Sequence, residues 1–366
     1  MSEPNFIDRD PDAITREMIA AYEAATGKTL YPAQVDRIQL DLIAYRETNV
    51  RIAIQEAAKQ NLVRFARGAV LDELGRQFGA PRLAAQSART VLRFSAAAAL
   101  PAVVDIPAGT RVSTSDGAVV FVTDTAAELA IGALSVDVSA TAEVPGTGGN
   151  AWAAGQIARA IDPLGNVLAV QNIDTTHDGA DEEADDALRE RIPLAWERFS
   201  TAGSVESYRF HALSVSPLIV DVEVLSPSPC VIEIYPLTSS GLPSQDLLDA
   251  VLASVSAAKV RPLTDKVSAL APAPVDYAIE ATLIVEASAD QATVLALANA
   301  AADAYKAARA AKLAGAVVPS QIVAALSMPG VFDVTLLQPA AKLTLASNEW
   351  PNCTGIALAI AGVANG

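Results

Sequence analysis

The sequence predicts an α+β, multidomain chain: an N-terminal helical arm, a small antiparallel β domain, and then α+β domains of split β-α-β-like character. Three observations predict it. Over residues 12–82 apolar side chains recur every three or four positions, from Arg89 to Ile173 they recur every two, and beyond residue 200 the two periods alternate. With 366 residues, 51% of them hydrophobic, and roughly 150 residues per domain, several cores are expected. The expected divisions are a helical segment 1–85, an antiparallel β domain 86–175, an α+β domain 176–270 and a C-terminal α+β domain 271–366.

The arm opens with "PDAITREMIAAYEAATG", for which Asp12 is the expected cap and Gly27 the stop. A longer helix is expected from Ala33 to about Arg67. One stripe on it is Val35, Ile38, Leu42, Tyr45 and Ile52; a second is Val50, Ile54, Ala58, Leu62 and Phe65. Two stripes call for burial on more than one side, against this chain or in an intermolecular bundle. "GAVLDELGRQFGAPR" adds a short helix with Leu71, Leu74 and Phe78 inward.

"TVLRFSA", "DIPAGTRVSTSDGAVVFVT" and "LSVDVSATAEVP" read as strands, with Asp116-Gly117 as a hairpin turn. After an acidic stretch come the helix "VESYRFHALSV", strands "LIVDVEVL" and "CVIEIYPLT", and the helix "SQDLLDAVLASVSAAKV". Strand "DYAIEATLIVE", a helix from Asp290 to about Lys312, a short helix from Ser320 to Ser327 and strands "GVFDVTLLQP" and "GIALAIAGV" complete the chain. Helices between strands suggest split β-α-β units.

Composition narrows the function. A formal net charge of −16 with scattered Lys and Arg leaves no basic footprint for nucleic acid and would be repelled by anionic membranes. The N-terminal residues do not resemble a signal peptide, and a soluble product made in the cytosol is expected. Cys230 and Cys353 are too few for a metal cluster and read as ordinary thiols. With only His177 and His211, a histidine-dependent hydrolase or metal site has few options. Two lone histidines are more often structural than catalytic. No cofactor is expected.

"HDGADEEADDALRERIPLAWERF" places six carboxylates between Asp178 and Asp186. Gly179 precedes the cluster, so calcium-loop spacing fails. Acids at a helix start meet free N–H groups, and Asp181, Glu182, Glu183 and Asp185 are read that way, with Asp185 pairing to Arg189 one turn on. Leu188, Ile192, Trp196 and Phe199 would form the buried stripe, and Pro193 would kink or break it. "PGTGGN", Pro145 to Asn150, lacks the lysine of a phosphate loop and reads as a tight turn between strands. In "VRPLTDKV", Arg261 is extended before Pro262 and Asp265 suits a turn; Arg261 could pair within the chain or with a neighbour's carboxylate.

"ARGAVLDELGRQFGAPR", "DIPAGTRVST…GAVVFVT", "GTGGNAWAAGQI", "GADEEADDALRERI", "TAGSVESYRFHAL" and "VRPLTDKV" occur in that order. The series resembles the J-like baseplate wedge family of contractile-tailed phages and related tail-like particles, over about residues 60 to 340. The resemblance implies a structural subunit, located in a virion or tail-like particle and assembled in the host cytoplasm, that rings a central hub and rearranges on contraction. It implies as partners a second copy in another conformation, smaller wedge subunits, the hub or spike, and sheath-proximal proteins, with neither nucleic acid nor membrane. It also implies that the N-terminal helices join a shared bundle, for which Val35, Ile38, Leu42, Tyr45, Ile54 and Leu62 are the candidate interface positions. The alternative is a tail-associated cell-wall hydrolase using His177 and the acids at 178–186, which requires paired carboxylates with one pKa raised.

Overall fold

The structure, a computed structural model, describes residues 3–163, 168–199, 203–257 and 260–365. The chain divides into two units: residues 1–82 with 184–193, and residues 83–183 with 194–366.

The first unit is helical: α1 (Pro11–Thr26), α2 (Val35–Lys59), α3 (Gly68–Phe78) and α4 (Asp185–Leu194). Asp10, rather than Asp12, caps α1; its carboxylate accepts the Asp12 N–H at 3.0 Å, because Pro11 at the first helical position has none to give. Gly27 ends the helix at φ 69°. Helix α2 stops at Lys59, short of Arg67. Gln60 folds the chain back there, accepting the Arg67 N–H at 3.1 Å and donating to Phe65 O at 3.3 Å. In α3 Leu71 is buried and Gly75 lies so close to Ala80 O that a Cβ would approach it to 2.5 Å. Helix α4 buries Leu188 and Ile192 and ends one residue after Pro193. The expected stripe does not continue, since Trp196 is 63% exposed; the Phe199 side chain lies outside the described residues.

The second unit begins with a β barrel. Its elements are β1 (Arg89–Ala96), β2 (Val104–Ile106), β3 (Arg111–Thr114), β4 (Val120–Thr123), β5 (Ala127–Leu129), β6 (Ser135–Ala142), β7 (Ile157–Ala160) and β8 (Leu168–Asn172). Six strands run β7-β3-β4-β6-β1-β8, all antiparallel, while β2 and β5 form a separate ribbon. The two ends of the sheet meet where Asn172 Oδ1 accepts the Ile157 N–H at 2.9 Å, so the barrel is nearly closed. Alternation puts Leu92, Phe94, Val112, Phe121, Val138, Ala140, Ile157 and Val170 in its core. The β3–β4 hairpin turns at Gly117, φ 74°, with Asp116 accepting the Ala118 N–H.

Next come α5 (Val205–Leu213), β9 (Ile219–Ser228), β10 (Val231–Thr238), α6 (Gln245–Val255) and β11 (Lys266–Ala269). The sheet order is β11-β10-β9. Strands β10 and β11 are parallel and joined through α6, the expected β-α-β crossover. Tyr208, Ala212, Val222, Ile234, Leu247 and Val251 pack between helices and sheet. Helix α6 ends at Val255, before the expected stop; Ala258 and Lys259 lie outside the described residues.

The last elements are β12 (Ala273–Glu286), α7 (Gln291–Ala310), β13 (Gly315–Val317), α8 (Pro319–Leu326), β14 (Val331–Gln338), β15 (Leu343–Leu345) and β16 (Glu349–Ala364). The sheet runs β14-β12-β16, with β12 antiparallel to β14 and parallel to β16; β13 and β15 make a second ribbon. Tyr277, Ile279, Ala281, Leu283 and Val285 of β12 are buried in alternation, under α7 and α8. The described residues are therefore α+β and built as several domains.

Candidate functional site

The acidic stretch was the sequence's most chemical feature, and its side chains disperse to separate donors. Asp178 lies 3.0 Å from His177 Nδ1 and accepts the Ser244 hydroxyl at 2.6 Å. Asp181 accepts the Thr147 N–H at 2.9 Å and its hydroxyl at 2.8 Å. Glu182 is exposed. Glu183 is 5% exposed and accepts the Leu83 N–H at 3.0 Å, while its own N–H donates to Leu83 O. Asp185 accepts the Gly68 N–H at 3.0 Å and the Arg82 guanidinium at 2.6 Å.

Only Asp185 and Asp186 fall in the first turn of α4. The expected Asp185–Arg189 pair is replaced by Asp186–Arg189, three residues apart, because Asp185 is turned toward Arg82 and the start of α3. Arg189 also donates to Val63 O at 3.2 Å and Ala66 O at 2.9 Å. Arg191, 3% exposed, reaches Pro81 O at 2.6 Å. The stretch therefore works as a series of struts rather than as one carboxylate centre. Among the described residues no group of His, Cys, Asp and Glu could hold a metal ion.

The pKa directions agree. Burial opposes ionisation of Asp178, but His177 and Ser244 outweigh it and lower its pKa. The backbone bond from Thr147 lowers that of Asp181, and the one from Gly68 lowers that of Asp185. Asp178 raises the pKa of His177, although Nδ1 lies outside hydrogen-bond geometry. His177 and Ser244 both address the same carboxylate. A nucleophile–base–orienter relay needs the histidine in the middle, so this order is wrong for acyl transfer. The cleft beside it, about 280 Å³, is lined by Gln86, Arg89, Asp178, Ser216 and Asp246 among others. His211 has its pKa lowered by burial.

Two loops that read as separate turns interlock. Asn150 of "PGTGGN" exchanges two hydrogen bonds with the backbone of Gly179 in "HDGAD", each 2.7 Å. A Cβ on Gly179 would stand 2.5 Å from Gly146 O and 2.8 Å from Asn150 Oδ1, which explains the glycine there. Likewise "TAGSVESY" meets "VRPLTDKV": Tyr208, 1% exposed, donates to Asp265 Oδ2 at 2.7 Å, and a Cβ on Gly203 would lie 2.9 Å from the same oxygen. Arg261 donates to Asp265 O at 2.7 Å, bracing its own loop. Spacing alone gave no sign of these pairings, because each joins residues about 30 or 60 apart.

The arm presents the other candidate surface. Val35, Ile38, Leu42 and Tyr45 are 70%, 59%, 61% and 66% exposed, and Ile54 and Leu62 are 47% and 39% exposed. The buried side of α2 carries Ala44, Thr48 and Gln55 instead. Gln55 is fully buried, accepting the Phe6 N–H at 2.9 Å and donating to Pro4 O at 2.7 Å. Two buried apolar stripes were expected. Within the helical unit the helices cover the small and polar side, and both stripes remain largely open.

The described residues thus offer small domains braced by loop-to-loop hydrogen bonds, a nearly closed barrel and a largely open apolar face on α2. Family models then match in register: the Baseplate J-like protein N-terminal domain over residues 37–89, its barrel domain over 91–179, its central domain over 200–271 and its C-terminal domain over 277–359. The chain belongs to the baseplate J-like family. It is similar to Baseplate protein J of Escherichia phage P2, 36% identical over 174 residues, which are 47% of this chain and 57% of that relative. The chain thus spans little more than half the length of this curated relative. A cryo-EM structure of the anti-feeding prophage baseplate, 6-fold symmetrised, aligns over 93% of this chain and 89% of that one, at 14% identity and a TM-score of 0.43.

Proposed function

We propose that this chain is a wedge subunit of a contractile baseplate, without catalytic activity, that assembles around the central hub and rearranges on contraction. The observation that carries the reading is the open apolar face of α2 in a chain that belongs to a baseplate family. A contiguous exposed apolar surface of this kind marks an interaction site. Its partners in this reading are a second copy in another conformation and a smaller wedge subunit, whose helices complete a bundle over Val35, Ile38, Leu42, Tyr45, Ile54 and Leu62. The hub or spike and sheath-proximal proteins are the further neighbours. The four-part division at residues 85, 175 and 270 belongs to the same reading, with the arm as the assembling part.

The hydrolase alternative gains no support from the acids. A general acid needs a raised pKa in an apolar pocket, whereas Asp178, Asp181 and Asp185 are lowered and committed to donors. The test is native mass spectrometry of the chain co-expressed with neighbouring reading frames, compared with Leu42→Glu/Ile54→Glu. A complex of two copies with one smaller subunit, lost in the variant while the β domains keep their circular dichroism, supports the reading. Intact complexes from the variant remove the bundle. Clearing of cell-wall polymer by the purified chain, lost in Asp181→Asn/Glu183→Gln, restores the hydrolase.

A further inference from the structure

The barrel meets the α5–β11 domain through a short ribbon. In it Gln86 and Ala180 exchange backbone hydrogen bonds at 2.8 and 2.9 Å, and Arg89 and His177 do so at 2.7 and 3.1 Å. Three side chains of the ribbon cross to the other domain. Gln86 donates to Val215 O at 3.1 Å and accepts the Ser216 hydroxyl at 2.6 Å. Asp178 accepts the Ser244 hydroxyl at 2.6 Å, while the Ser244 oxygen caps α6 by accepting the Leu247 N–H at 3.1 Å. Arg89 stands 3.7 Å from Asp246, which lies in the first turn of α6. The two apolar cores stay separate, and the cleft of about 280 Å³ opens between the ribbon and α6. A polar seam of this kind permits motion between the domains it joins.

Charge along the seam is unbalanced. On its own segment His177 faces Asp178 at 3.0 Å and Asp174 at 3.9 Å, and from α6 the Asp246 carboxylate acts on it as well. From β1 comes the Arg89 guanidinium, beside Asp246 and favouring the charge on Asp178. Asp174 is also held by the Thr90 hydroxyl and the Val91 N–H. With a neutral imidazole, three carboxylates share one guanidinium; a charged imidazole puts a second cation among them. Asp178 sits at φ 64°, a left-handed conformation that persists in a non-glycine residue where its surroundings fix it. His177 and Ser244 are those surroundings.

We propose that this joint is a protonation-gated latch: charged His177 holds the Asp178 and Asp246 carboxylates together across the seam, and neutral His177 lets the barrel turn against the α5–β11 domain. The imidazole is 40% exposed, so solvent protons reach it. Asp178 raises the pKa of His177, so the latch is closed below the ordinary histidine value of about 6.5 and opens as pH rises through the elevated one. Burial works against the charge on Asp178, but His177 and Ser244 outweigh it, so the carboxylate survives into acid and the latch with it. The two-state element is the seam, and one proton biases it.

The test uses the free full-length chain, so its result is independent of the wedge reading. Spin labels go on Ser139→Cys in the barrel and Ala253→Cys on α6, both exposed, in a Cys230→Ser background that leaves the buried Cys353. The distance distribution between them should be narrow at about pH 5.5 and at least about twofold broader at about pH 8.5, on either side of the ordinary histidine value. His177→Gln should be broad at both, and His177→Lys, charged at both, narrow at both. In the labelled chain the midpoint of broadening should coincide with the titration of the His177 ring followed by NMR. A width that ignores pH, a width that still follows pH in His177→Gln, or a midpoint away from the ring titration would each overturn the proposal.

Discussion

The Tyr208 hydroxyl donates to Asp265 Oδ2 at 2.7 Å, tying the helix α5 to a loop 57 residues further on. Tyr208 is 1% exposed, and burial, then this bond, raises its pKa. A raised pKa means that the neutral phenol stabilises the fold below the ordinary tyrosine value of about 10 and that this contribution is lost as pH rises beyond it. Tyr208→Phe should cost about 1–2 kcal/mol at neutral pH. The wild type should lose stability more steeply than the variant from about pH 9 upward, as followed by urea unfolding.

Gly179→Ala should be among the more damaging single-methyl changes in the barrel region. The new Cβ meets Gly146 O, a backbone atom, at 2.5 Å. Overpacking of this kind costs about 1–3 kcal/mol. Thermal unfolding should show a lowered midpoint, whereas Gly148→Ala, which meets nothing within 4 Å, should show little change.

His177 provides a signal at mild pH. Asp178 raises its pKa, so the charged imidazole's contribution is complete below the ordinary histidine value of about 6.5 and disappears as pH rises through the elevated folded value. The difference in stability between wild type and His177→Gln should therefore be larger at low than at high pH across that window. An equal difference at both ends would show that the ion pair adds nothing.

Asp185→Ala removes the acceptor for both the Gly68 N–H and Arg82, which is 12% exposed. Losing a charged acceptor for two donors should cost about 1–3 kcal/mol. Since Gly68 and then Arg82 lower the Asp185 pKa, its contribution holds above the ordinary carboxylate range and is lost as pH falls through the depressed value. Acid titration of the variant should accordingly lack part of the wild-type transition.

Leu42→Glu alone should leave the free chain's stability within about 0.5 kcal/mol, as for other exposed sites, because Leu42 is 61% exposed. Loss of stability comparable to a core substitution would mean that the face is covered by this chain.

What the sequence disclosed depended on range. Alternation in "DYAIEATLIVE" located the inward face of β12, and Gly27 marked the end of α1, because period and glycine geometry are local. The pairing of Asp181 with Thr147, or Asp185 with Arg82, was illegible, since each partner is fixed by the path of the chain rather than by spacing. The stripes of α2 were correctly seen as apolar, but the same pattern is produced by a buried helix and by one awaiting a partner. Trp196 falls off the stripe for a simpler reason: the helical period does not extend past Leu194, the residue after Pro193, where the helix ends.

Helix α4 completes the helical unit from 184–193, after the whole barrel has intervened. Arg82 and its partner Asp185 are 103 residues apart. During synthesis at about 5–20 residues per second, the arm's last helix arrives roughly 5–20 s after the rest of it. The barrel has all its strands before α4 exists, so the nascent arm waits unfinished with its apolar surface showing. Order of birth thus favours a barrel that folds first, and it makes the arm the segment most in need of a chaperone or an early partner.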